Sequence, residues 1–127
     1  AGDMINKVGQ VMLYVNHQDE AVEFWTKKLG FTVVADEKTE GMRWIEIAPS
    51  ANAETSIILH DRETVANMSP GVNPDTPSLM FFTEDAEKLH KEFASKNITV
   101  GEIVEMASNK VFNFADNEDN YFAVMEK

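Results

Sequence analysis

Between Val11 and Phe31 the spacing of apolar residues changes period twice. Val11, Leu13 and Val15 alternate with Met12 and Tyr14, the two-residue repeat of a strand. Asn16 and His17 interrupt it, and Asp19 and Glu20 then place negative charge where a helix N-terminus is electropositive. Ala21, Phe24, Trp25 and Leu29 recur at three- and four-residue spacing, which predicts an amphipathic helix. Gly30 can adopt the left-handed backbone that closes a helix, and Phe31 to Ala35 resume as a short strand. Both faces of the first strand are apolar. One can pack on the helix. The other, Met12 and Tyr14, needs a different cover, which makes it the candidate functional face.

The remaining pattern repeats this unit. Asp36 to Gly41 is charged, ends in Gly and reads as a turn. Met42 to Ile47 alternates, with Arg43, Ile45 and Ile47 on one side and Met42, Trp44 and Glu46 on the other. Thr55 to His60 is a fourth strand. Residues 62–77 carry Pro70, Gly71, Pro74 and Pro77 and read as a connector, with one helical turn from Thr64 to Met68. Ser78 to Thr83 restarts the pattern as a strand, and Thr83, Glu84 and Asp85 cap a helix with an Ala86, Leu89 and Phe93 stripe. Asn97 stands in for Gly30 as terminator. Ile98 to Gly101, Ile103 to Met106, Val111 to Ala115 and Tyr121 to Met125 read as strand segments. Sliding the chain by 68 residues sets Val11 on Leu79, Met12 on Met80, Tyr14 on Phe82, Trp25 on Phe93 and Gln10 on Ser78. Each half is too small to bury a good core alone. The expected fold is therefore α+β: two βαβββ modules (4–61 and 78–127) forming one curved, mixed, eight-stranded sheet, a cup, with the helices on its outer face.

Composition narrows the partners. A chain of 127 residues holds one domain, 1–127, and Ala1, Gly2 and Asp3 read as a cloning scar. With 22 acidic and 11 basic residues the formal net charge is −11, which argues against nucleic acid, a partner that needs clustered Lys and Arg. The plain reading of that acidity is solubility. Cysteine is absent, which removes disulfides, thiol nucleophiles and cysteine-bound zinc. No apolar run approaches the roughly 20 residues that cross a bilayer, and no signal-peptide pattern follows Met4, so a cytoplasmic protein is expected. There is no Gly-x-Ser-x-Gly elbow and no Gly-rich phosphate loop.

The stretch VMLYVNHQDEAVEFWTKKLGF resembles the opening module of the vicinal-oxygen-chelate superfamily, which includes glyoxalase I, bleomycin-resistance proteins, fosfomycin-resistance proteins and extradiol dioxygenases. SLMFFTEDAEKLHKEF and FADNEDNYFAVME are similar to that family's second half. The resemblance spans Met4 to Glu126 and implies a homodimer. Members share the scaffold and differ in chemistry. Where they hold a divalent cation, the resemblance places its ligands at Gln10, Ile58, Ser78 and Ala123. Ile58 and Ala123 have no donor atom and Ser78 is a poor neutral ligand. No metal and no cofactor are therefore expected. The family's closing turn, Asp-Pro-Asp-Gly-Asn, is here Asp116-Asn117-Glu118-Asp119-Asn120, with Asp119 in the position Gly would take. A calcium loop is rejected there, since the Gly and the later bidentate Glu are missing.

The predicted lining is Gln10, Met12, Tyr14, Trp44, Glu46, Ile58, His60, Ser78, Met80, Phe82, Tyr121, Ala123 and Met125. Methionine suits a variable ligand, and a carboxylate beside an indole suits a polar or cationic aromatic one. Against this stands the simpler reading that the cup is collapsed or buried between copies. His60 ends the fourth strand and, by alternation with Ile58, can face the cup, although a rim position near the turn is the simpler reading. His17 and His90 read as surface residues. Three functions follow in order: a metal-free bleomycin-resistance-like protein binding a small organic molecule; a metal-dependent lyase, isomerase or dioxygenase using Gln10, Glu46 and His60; and an interaction module whose inner face a second copy buries. Catalytic residues are unknown from the pattern, and it leaves open whether any reaction is catalysed.

Overall fold

The computed structural model describes residues 4–127; the suspected scar, residues 1–3, lies outside the described residues. The first module runs β1 (Gln10–Val15), α1 (Gln18–Glu23) with a continuation, Phe24–Lys28, wound as π-helix, β2 (Thr32–Thr39), β3 (Met42–Ala48) and β4 (Ser56–Asp61). The connector contributes α2 (Arg62–Met68). The second module runs β5 (Met80–Thr83), α3 (Ala86–Ser95), β6 (Val104–Met106), β7 (Asn109–Ala115) and β8 (Tyr121–Glu126). The fold is α+β, two βαβββ modules as the pattern predicts. Hydrogen bonding runs in two four-stranded sheets, ordered β1-β4-β3-β2 and β5-β8-β7-β6, so the curved surface is not closed into a continuous ladder. In each sheet the first and last strands of the module pair in parallel and the other pairs are antiparallel.

The alternation in the strands decides which face is dry. Leu13 and Val15 of β1, Ile45 and Ile47 of β3, and Ile57 and Leu59 of β4 are buried under α1, with Ala21, Phe24 and Trp25. Phe112 and Phe114 of β7 and Phe122 and Val124 of β8 are buried in the same cluster with Ala86 and Phe93 of α3. Trp25 unites the two halves. It is fully buried and meets Phe81, Phe114 and Phe122 edge-on, with ring centroids 5.9, 6.4 and 5.5 Å away. Two residues related by the 68-residue repeat also touch: Lys96 Nζ donates to the Lys28 carbonyl at 3.1 Å. The π-helical stretch begins at the adjacent aromatics Phe24 and Trp25, both of which reach the core.

Four local differences from the pattern have physical causes. β2 continues to Thr39, and the turn shrinks to Glu40 and Gly41, both at positive φ. The charges that read as a turn belong to an edge strand, where Asp36 accepts two hydrogen bonds from Arg43 at 2.8 and 3.0 Å. The connector's helix starts earlier than expected because Asp61 caps it, accepting from the Thr64 amide at 3.1 Å. β5 is shorter than expected, beginning at Met80. Ile98 to Gly101 makes only an isolated bridge, Val100 to Phe114. Asn97 and Asp119 take φ of 62° and 61°, the left-handed conformations their positions require.

One inter-module contact had no signature in the spacing. Glu118, in the closing turn, accepts from the Asn16 and His17 amides and from Asn16 Nδ2 at 2.9 to 3.1 Å. Asp116 holds that turn by accepting from the Glu118 and Asn120 amides, both at 2.9 Å. The last turn of the second module thereby fastens the strand-to-helix junction of the first.

Candidate functional site

The face of the first sheet opposite α1 is set by three cross-strand rows. Gln10 pairs with Ser56; Met12 pairs with Ile58, which faces Glu46; Tyr14 pairs with His60, which faces Trp44. Side chains in such rows lie close enough to touch. Ser56 and Ile58, on β4 between β1 and β3, are buried and make a floor. Gln10, Met12, Met42, Trp44, Ile58 and His60 line a hollow of about 320 Å³ over it. Five of these six are predicted site residues. Met42 is the sixth and lies outside the predicted lining, although its alternation with Trp44 sets it on that face.

The polar groups have distinct states. Glu46 accepts from Ser56 Oγ at 2.6 Å, which turns the carboxylate toward the Gln10 end and leaves it one row from His60. His60 stacks on Tyr14, ring centroids 6.0 Å apart and planes 20° from parallel. Its Nδ1 is sealed from solvent and has no hydrogen-bond partner. Burial pushes the imidazole's pKa below its ordinary value near 6.5, because the charged ring loses hydration. Gln18 fixes the sheet end beside this row by donating to the carbonyls of Arg43 and Leu59 at 2.7 and 3.0 Å. Arg62 Nη2 donates to the Tyr14 carbonyl at 3.0 Å. The other two histidines lie elsewhere. His17 is the N-cap residue of α1, with no side-chain capping bond, and His90 Nε2 pairs with the Gly101 carbonyl at 2.8 Å.

The second module's predicted residues lie on the corresponding face of the second sheet. Met80 pairs with Ala123 and Phe82 with Met125. Tyr121 begins β8 beside them, and Ser78 precedes β5 as an exposed residue. None of the six lines the hollow of the first sheet. The face is apolar and open: Met80 is 46%, Phe82 65% and Tyr121 59% exposed, and Val104 and Met106 of β6 are exposed as well.

The four positions where the resemblance puts metal ligands do not make a coordination sphere. Gln10 and Ile58 stand in adjacent rows of one sheet, and Ala123 lies in the other, with Ser78 just before its first strand. Ile58 and Ala123 offer no donor, Glu46 is engaged by Ser56, and one nitrogen of His60 is sealed. Among the described residues no three His, Asp or Glu side chains come together as a cation site. The residues present do not fit the family's divalent ion.

Comparisons with known proteins agree with this architecture. Over 125 residues the chain is 30% identical to YetH of Bacillus subtilis (strain 168), described as an uncharacterized protein, covering 97% of this chain and all of that one. TnmS3, an antibiotic binding protein from Streptomyces sp. CB03234, superposes with a TM-score of 0.81 at 22% identity, covering 98% of both chains. A superfamily member from Sphaerobacter thermophilus DSM 20745 superposes with a TM-score of 0.81 at 23% identity, covering 98% of this chain and 99% of the other. A family model matches residues 7–124, and the chain belongs to the glyoxalase/bleomycin resistance protein/dioxygenase superfamily.

Proposed function

We propose that this protein binds a small, flat organic molecule without a metal, in the hollow on the open face of the first sheet. The observation that carries the reading is the lining: a buried Ile58 floor with Met12, Met42 and Trp44 around it and single polar groups, Gln10 and His60, beside them. Small-molecule sites are concave and mostly apolar, with a few placed polar groups. An indole face recognises a conjugated plane, and thioethers adapt to its outline. TnmS3's description as an antibiotic binding protein supports an antibiotic-like ligand held by sequestration.

A second copy completes the site in this reading. The exposed Met80, Phe82, Val104, Met106 and Tyr121 form an apolar surface of the kind that soluble monomers seldom leave uncovered. A homodimer in which this surface covers another chain's hollow would turn an open depression into an enclosed cup. In this reading residues 1–127 act as one cytoplasmic binding domain with no nucleic-acid or membrane partner; no helix is long and apolar enough to cross a membrane.

Isothermal titration against a panel of flat aromatic antibiotics and metabolites, paired with a light-scattering mass, tests both parts. The expected result is a dimer that binds at least one conjugated class at micromolar concentration, with Trp44→Ala abolishing the heat. A monomer that binds no member of the panel would refute the reading.

A further inference from the structure

We propose that His60 sets the ligand chemistry of the hollow by donating a hydrogen bond from Nε2 to a carbonyl or similar uncharged acceptor on a flat conjugated ligand. This rests on the hollow being the binding site.

The argument begins with the two ring nitrogens. Nδ1 is sealed and unpartnered, so whichever form it takes there goes unsatisfied. Among buried backbone groups an orphaned N–H is rarer than an under-satisfied C=O, and a proton placed on Nε2, which faces the hollow, can find a partner that one on Nδ1 cannot. A bare lone pair at Nδ1 is therefore preferred, and the single proton of the neutral ring sits on Nε2. The ring lines the hollow while Nδ1 does not reach solvent, which leaves Nε2 as the nitrogen a ligand can meet. Stacking on Tyr14 holds the ring's orientation. Burial disfavours the imidazolium and so favours this neutral form.

The surroundings decide what can accept the bond. Gln10, Met12, Met42, Trp44, Ile58 and His60 include no Lys or Arg, Glu46 lies on the same face, and the whole chain carries a net charge of −11. Arg62, two residues beyond His60, spends Nη2 on the Tyr14 carbonyl and does not line the hollow, so a carboxylate or phosphate would lose its hydration there with no cation in the lining to compensate. A neutral carbonyl loses little and gains the bond. Gln10 closes one end of the hollow, and His60 stands toward the other, with Met42 of β3 one row beyond it. The Gln10 and His60 rows lie four residues apart along β4, about 13 Å at the usual strand rise, with Met12 and Ile58 between them. The ligand that fits is therefore flat and largely apolar, with its acceptor beside His60 and apolar surface on both sides of it, against Met12 and Ile58 and against Met42.

The test pairs a spectroscopic readout with matched probes, 9-fluorenone and fluorene, which differ by one carbonyl oxygen. Nitrogen-15 imidazole spectra of the dimer should show His60 protonated on Nε2. Binding followed by tryptophan fluorescence should favour fluorenone by about 3- to 10-fold, the worth of one neutral hydrogen bond. His60→Phe should remove that preference. His60→Gln, whose amide nitrogen can occupy the Nε2 position, should keep it. A proton on Nδ1, equal affinities in the native protein, or a preference that survives in His60→Phe would overturn the inference while leaving the hollow as a binding site. Failure of both probes to bind would overturn the inference and the site together.

Discussion

The two open sheet faces come from one repeated unit and have diverged position by position. Aligning the ladders sets Ile58 on Ala123, His60 on Met125, Trp44 on Val111 and Glu46 on Asn113. In the first sheet these positions make a buried floor, a stacked imidazole, an indole wall and a carboxylate tied to Ser56. In the second, Ala and Met replace the floor and the imidazole, and Phe82 and Met80 stand in solvent beside them. One face carries specific polar groups and the other is mainly apolar. The difference teaches that a duplicated module can keep one face for a shared core and let the other diverge; in the proposed reading one copy keeps the recognising chemistry and the other becomes the cover. Their opposite faces stay alike, because both contribute to the shared core around Trp25.

The strongest way to break this comparison is to empty the floor. Ile58→Ala should destabilise by about 2–4 kcal/mol in urea unfolding, the cost of a buried cavity. Phe82→Ala, on the exposed counterpart face, should stay within about 0.5 kcal/mol when unfolding is followed at concentrations where the chain is monomeric. Similar losses at both sites would erase the asymmetry. The next largest effect concerns association. Phe82→Glu should weaken self-association by about 30-fold or more in sedimentation velocity, as expected for a central apolar anchor, with the unfolding midpoint of the monomer unchanged. A dimer unaffected by that charge would mean the second face is not the cover.

Two smaller effects sharpen the contrast. Ser56→Ala removes the donor to Glu46 and should cost about 1–2 kcal/mol, whereas Tyr121→Phe, its counterpart in the second sheet, should cost almost nothing in the monomer. The pH response follows from His60. Its folded pKa lies below the ordinary value near 6.5, so on acidification the unfolded chain takes up the proton first. The stability it contributes is present above about pH 6.5 and is lost as pH falls from there toward the folded pKa. Urea midpoints at neutral and mildly acid pH should therefore differ more for the native protein than for His60→Gln. Identical slopes would contradict a buried neutral imidazole.

Much of this architecture was legible in the residues. Alternation in β1, β3 and β8 sorted core from open face correctly, because one buried face imposes a strict two-residue period. The repeat offset located the second module, although β5 and β6 proved short. β2 was misjudged because an exposed edge strand carries the same polar composition as a turn. Met42 lines the hollow because it shares the face of Trp44, a consequence of the same two-residue period. The Glu118 fastening and the Ser56–Glu46 bond could not be read, since both depend on residues far apart in sequence or on side-chain direction across a ladder. The sealed Nδ1 of His60 is likewise a product of packing.

Seven methionines make the central claim measurable in one spectrum. With methyl-carbon-13 methionine, titration of 9-fluorenone should shift Met12 and Met42 saturably with a single dissociation constant, while Met4 and Met68, which lie off both sheets, stay fixed. Saturable shifts confined to Met68, or none at Met12 and Met42 while other methyls move, would place the ligand elsewhere and contradict the hollow as the site.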